Sequence, residues 1–119
     1  MATQEELLER DDVKAAMAEA RATPNVSKRL RVIETPAGII IVKSASAAQW
    51  SLVITASLDD DKSIAARAMR GLILGTIVFP AKEKVAEMQA DYVGLWENPA
   101  IVKEVRIHNG HASEAHAKG

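Results

Sequence analysis

Residues 29–42 read Arg29-Leu30-Arg31-Val32-Ile33-Glu34-Thr35-Pro36-Ala37-Gly38-Ile39-Ile40-Ile41-Val42, and this stretch decides the fold class. Arg29 to Val32 alternates polar and apolar side chains, the period of a half-buried strand. Pro36-Ala37-Gly38 supplies turn chemistry. Ile39 to Val42 then returns as a β-branched run suited to a pleated sheet. Four consecutive apolar residues cannot all face water, so the hairpin, residues 29–43, must pack under other elements.

Those elements are helical. Upstream, Thr3-Gln4-Glu5-Glu6 is a capping box, in which Thr3 accepts from the backbone while Glu6 reaches back. Val13, Ala16, Met17 and Ala20 recur at helical spacing. Residues 4–22 therefore form one helix, or two short ones if Asp11 and Asp12 cap a second segment. Pro24 ends this part of the chain, because the residue before a proline is pushed away from helix.

Downstream, Ser46-Ala47-Ala48-Gln49 is a second capping box. It opens a helix whose apolar stripe is expected to be Ala47, Trp50, Ile54 and Leu58, with Trp50 in the core. Asp59-Asp60-Asp61 ends that helix or caps the next. The alternating ligands and glycine of a calcium loop are missing, so these acids are expected to serve the helix dipole. Residues 63–79 turn from polar to apolar and are expected to form a central helix, although Leu72 to Phe79 also fits a buried strand. Gly71 and Gly75 lie four apart, where close backbone approach is expected.

Pro80 interrupts again, and Ala81, Val85, Met88 and Tyr92 form a further stripe. Val93-Gly94-Leu95-Trp96 is a loop. Asn98-Pro99 is an N-cap followed by proline at the first helical position, Ile101, Val102 and Val105 line that helix, and Asn109-Gly110 stops it. Residues 111–119 are expected to be a flexible tail after a single globular domain of residues 1–110. The fold class is thus α+β and mainly α, a small hairpin packed with four to five helices.

Composition narrows the chemistry. The chain has no cysteine, which removes disulfides, thiol catalysis and cysteine-bound zinc. A reducing compartment is the natural expectation. The acidic N-terminal segment opens no long apolar run, so no signal peptide is expected. The longest apolar stretch, Gly71 to Phe79, is far short of the ~20 residues of a membrane helix. Phosphate loops, dinucleotide fingerprints, serine elbows and paired zinc-binding histidines are all absent, so neither catalysis nor a cofactor is expected.

Two constellations remain as alternatives. The overall charge is -1, yet residues 24–43 carry Lys28, Arg29, Arg31 and Lys43 against Glu34 alone. This basic strip is either the solvated face of the hairpin or a contact for nucleic-acid phosphate, without an aromatic residue to stack on bases. His108, His111 and His116, with Glu114, would bind metal only on a fixed backbone, and are expected instead to be solvated. Trp96, in its loop, either plugs the core or anchors a partner.

The order of features resembles the small tail assembly chaperones of long-tailed bacteriophages. The resemblance runs through Thr35-Pro36-Ala37-Gly38-Ile39-Ile40-Ile41-Val42-Lys43, Ser46 to Trp50, Val78-Phe79-Pro80, Tyr92-Val93-Gly94-Leu95 and Asn98-Pro99-Ala100-Ile101-Val102 up to Asn109-Gly110. At Val93 the chain departs from the proline of related segments. The resemblance implies a non-enzymatic protein of the bacterial host cytoplasm that coats the long, apolar, helical tape-measure protein until tail-tube subunits polymerise around it. Leu95, Trp96 and Ile101 are the residues expected to bind that partner. A structural virion subunit of tail or connector is the other reading such a resemblance allows.

Overall fold

A computed structural model of the chain describes residues 3–22 and 29–110. Among them are six α-helices and a three-stranded antiparallel sheet, so the fold is α+β and mainly α. The described chain divides into two units, Met1–Lys43 with Ile77–Leu95 and Ser44–Thr76 with Trp96–Gly119.

The first unit is built on the hairpin. Strands β1 (Leu30–Thr35) and β2 (Gly38–Lys43) pair antiparallel with Val32 opposite Ile41 and Thr35 opposite Gly38. Gly38 has φ +127°, a conformation that glycine adopts without Cβ strain. Thr35 ties the turn from inside: its hydroxyl donates to the Gly38 carbonyl at 2.6 Å and accepts from the Ala37 N–H at 3.1 Å. Alternation puts Leu30, Val32, Ile39 and Ile41 on one face. Helices α1 (Gln4–Glu9) and α2 (Asp11–Ala22) cover that face with Leu7, Val13, Ala16 and Ala20. On the opposite face Ile33, Ile40 and Val42 are buried as well.

The N-terminal segment is two helices, which raises the total above the expected four to five. Thr3 caps α1 through the Glu6 N–H. Arg10 then leaves helical geometry with ψ 138°, and its guanidinium binds Asp12 and Glu34, both at 2.7 Å. Gln4 closes the outer edge of β1. Its side-chain amide donates to the Val32 carbonyl and accepts from the Val32 N–H, both at 2.8 Å, so it mimics one more strand residue.

The segment expected to be helical through Phe79 changes state at Thr76. Residues Ile77–Phe79 form β3, which pairs antiparallel with β2, Ile41 opposite Phe79. The β-branched Ile77-Val78 pair gains more from the open edge of β2 than from a further half-turn of helix. A cis Phe79–Pro80 peptide bond and helix α5 (Lys82–Asp91), with Met88 buried, follow in the same unit.

The second unit is helical. Helices α3 (Ala47–Ser57) and α4 (Lys62–Thr76) form a helical hairpin, and α6 (Pro99–His108) packs on α4. The capping box at Ser46 is complete: Gln49 N–H donates to Ser46 Oγ, and Ser46 N–H donates to Gln49 Oε1. Asn98 caps α6 at the Ala100 N–H, with Pro99 at the first helical position. Of the two helix glycines, only Gly75 marks a close approach, where a Cβ would lie 3.0 Å from Gln49 Nε2; Gly71 faces open space. Arg70 and Glu97 form an ion pair at 3.6 Å.

Candidate functional site

Among the described residues, α3 presents an unusual surface. Residues 44–58 carry no charged side chain, and apart from the capping Gln49 the helix is apolar or small all round. A helix of that kind is ordinarily buried on every side. Here only Val53 is buried, while Leu52 is 70%, Ile54 53% and Leu58 81% exposed. At 3.6 residues per turn, Ala48, Ser51, Thr55 and Leu58 run along one exposed stripe. Leu52 flanks the stripe on one side and Ile54 on the other. The result is an uncharged ridge about 16 Å long on the rise of an α-helix, with the Ser51 and Thr55 hydroxyls between its apolar side chains.

This geometry corrects the expected stripe of Ala47, Trp50, Ile54 and Leu58. The helix is turned so that Val53, with half-buried Trp50, faces inward. Trp50 is therefore not a fully buried core residue. The physical reason is the lack of a polar face: with no charge to fix its rotation, α3 is oriented by its packing on α4.

The acidic triad lies at the end of the ridge. Asp59, Asp60 and Asp61 are all exposed. Asp61 caps α4, accepting from the Ser63 hydroxyl at 2.7 Å and the Ser63 N–H at 3.0 Å. The Ser63 hydroxyl first, and then the Ser63 N–H, hold the Asp61 carboxyl below its usual range. Asp59 accepts from the Asp61 N–H at 2.8 Å. These acids serve the helix start, as the sequence led one to expect.

The residues expected to contact a partner lie elsewhere. Leu95 is 3%, Trp96 1% and Ile101 1% exposed. A partner surface at these three positions is corrected by their burial: the 3-10 turn Leu95–Glu97 folds the indole inward. Of its two readings, Trp96 takes that of the core plug.

The basic strip is divided. Arg31 stands opposite Val42 and Lys43 opposite Leu30, so the two cations belong to opposite faces of the hairpin. Arg29 is exposed ahead of β1, and Lys28 lies outside the described residues. Of the basic residues Lys28, Arg29, Arg31 and Lys43, the strand cations Arg31 and Lys43 thus do not share one face of the sheet.

The histidines fall apart in the same way. His108 is buried at the end of α6, with Nε2 3.5 Å from Ser44 Oγ, and the neighbouring Asn109 accepts from the Ala45 N–H at 2.7 Å. It is a structural group rather than the solvated one expected. His111, His116 and Glu114, with the expected tail 111–119, lie outside the described residues. Among the described residues no cluster of histidine, cysteine, aspartate or glutamate is arranged to hold a metal, and no helix is long and apolar enough to cross a membrane.

No family model, curated protein or solved structure matches this chain. The α3 ridge is thus read from its own chemistry. It was legible in the sequence only as an absence, the unbroken lack of charge from Ser44 to Leu58.

Proposed function

We propose that the protein is a non-enzymatic assembly chaperone of a long-tailed bacteriophage, working in the host cytoplasm and binding the tape-measure protein through α3. The observation that carries the reading is the ridge of Leu52, Ile54 and Leu58, exposed on a helix without charge. Three large apolar side chains exposed on one charge-free helix mark a place where another molecule can sit. A long, apolar, helical partner is the chemistry such a ridge accepts, because helix-on-helix packing needs matching apolar stripes rather than a deep pocket. The order of features shared with tail chaperones supports the same assignment.

The working surface thereby moves from the buried Leu95, Trp96 and Ile101 to α3. Co-expression with the phage tape-measure product and affinity capture test the reading. The wild-type chain is expected to retain the tape-measure protein, and Leu52→Asp with Leu58→Asp to lose at least roughly tenfold in affinity, about 1.4 kcal/mol. Wild-type protein that ignores the tape-measure product yet remains in purified virions would overturn the reading in favour of a virion subunit.

A further inference from the structure

We infer that the α3 ridge also pairs with the α3 ridge of a second copy, in an antiparallel, two-fold symmetric dimer that covers this surface before the partner arrives. The inference deepens the chaperone reading, since it supplies the regulation of that same surface. It does not depend on which partner displaces the second copy.

Two features of the ridge select a second copy, and a third sets how tightly it is held. The first is size matching. In an antiparallel pair centred near Leu52 and Val53, Leu58 of each copy lies over Ala47 and Ala48 of the other, and Ser51 lies opposite Thr55. Large side chains thus meet small ones at both ends, the arrangement that packs without voids. All of these positions except Val53 are exposed.

The second feature is charge. Asp59, Asp60 and Asp61 stand at the C-terminal end of the ridge, and no charged residue occurs from Ser44 to Leu58. A parallel pair would set two acidic triads side by side, and like charges there repel. An antiparallel pair instead sets each triad at the start of the other copy's α3. There the helix dipole is positive, and beyond the Gln49 N–H that Ser46 caps, the first-turn N–H groups of Ala47 and Ala48 have no acceptor within the helix. The same acids that forbid one orientation favour the other.

The third is area. A ridge about 16 Å long buries well under the roughly 1,200 Å² of stable complexes. The dimer is therefore weak and reversible.

The chain has no cysteine, so single introduced thiols report this geometry directly. Sedimentation of the unmodified chain alone, over concentrations from about 5 to 500 μM, should show reversible monomer and dimer in this range. Leu58→Asp should weaken the dimer at least tenfold while leaving the circular dichroism spectrum unchanged. Under mild oxidation Leu52→Cys, next to the two-fold axis, should cross-link readily to its own copy. Leu58→Cys alone should do so at least tenfold more slowly, yet should cross-link when mixed with Ala47→Cys. A chain that stays monomeric throughout overturns the dimer, and Leu58→Cys cross-linking to itself as fast as Leu52→Cys overturns its orientation. Because no tape-measure protein is present, failure here leaves tape-measure binding standing, and failure of tape-measure binding leaves this dimer standing.

Discussion

Ile39–Val42 and Ala47–Leu58 are both stretches free of charge and rich in β-branched or leucine side chains. In the first, Ile40, Ile41 and Val42 are all fully buried. In the second, Leu52, Ile54 and Leu58 meet water and Val53 alone is buried. Charge does not separate them. What separates them is how each geometry uses its neighbours. Strand β2 is central, hydrogen-bonded to β1 on one side and β3 on the other, with side chains buried on both faces. Helix α3 satisfies its own backbone, so packing on α4 leaves most of its circumference open. An apolar strand must find cover on every side; an apolar helix can hold its shape with one side covered and offer the rest to a partner.

The largest effects should fall on the covered side of this comparison. Trp96→Ala removes a buried indole and should cost about 3–5 kcal/mol. Ile41→Ala in β2 should cost about 2–5 kcal/mol, because the cavity would open between the sheet and α1–α2. Urea denaturation measures both. A native-like Trp96→Ala chain that loses only affinity for a partner would restore the anchor role and break the contrast.

A middle-sized effect should appear at the edge of the sheet. Gln4 substitutes for a neighbouring strand with two hydrogen bonds of 2.8 Å to Val32. Gln4→Ala should cost about 1–2 kcal/mol in chemical denaturation, since both Val32 backbone groups lose their acceptor and donor. Amide exchange at Val32 should accelerate with it. Equal stability and unchanged exchange would mean that water replaces the amide without loss, and that the β1 edge is less demanding than β2.

How much of this was legible in the sequence follows from the kind of signal each part carries. The hairpin was, because Thr35-Pro36-Ala37-Gly38 is local turn chemistry and needs no tertiary information. The capping groups Thr3, Ser46 and Asn98 were for the same reason: each satisfies an N–H two or three residues away. Strand β3 was not, since Ile77-Val78-Phe79 suits helix or strand until β2 offers an edge. The face of α3 was misread because periodicity needs polar residues to mark the outside, and this helix has none that is charged. Trp96 was ambiguous because a loop position does not tell an indole which way to turn.

Acid should produce a smaller change. Hydrogen bonding by Ser63 depresses the Asp61 carboxyl, and the hydrogen bond from Arg10 likewise depresses Asp12. A carboxyl lower in the folded than in the unfolded chain adds stability that is present above its ordinary value of 3.8. That contribution disappears as the pH falls through the depressed value. Both groups are exposed, so solvent screening keeps the contribution small. Ser63→Ala should therefore melt slightly below wild type at neutral pH, and the gap should close in strong acid. A gap that persists there would detach the effect from the Asp61 carboxylate, and helix propensity could not explain it, because propensity favours alanine over serine.

The smallest expected effect on stability is the one on which the comparison turns. Leu52→Gln and Leu58→Gln each exchange an exposed apolar side chain for one of nearly equal helix propensity. Little buried apolar area is lost, because Leu52 is 70% and Leu58 81% exposed, so the double variant should stay within about 0.5 kcal/mol of wild type in urea. The same number of apolar carbons removed from β2 would cost several times more. The chain at high concentration adds a second reading of the experiment. If α3 is covered there by a second copy, the wild type should gain melting temperature with concentration, because dimer is bound only by folded chains. The double variant should show no such gain. A double variant that loses more than about 2 kcal/mol when dilute would mean that Leu52 and Leu58 are covered within the monomer. The contrast between the sheet and α3 would then fail.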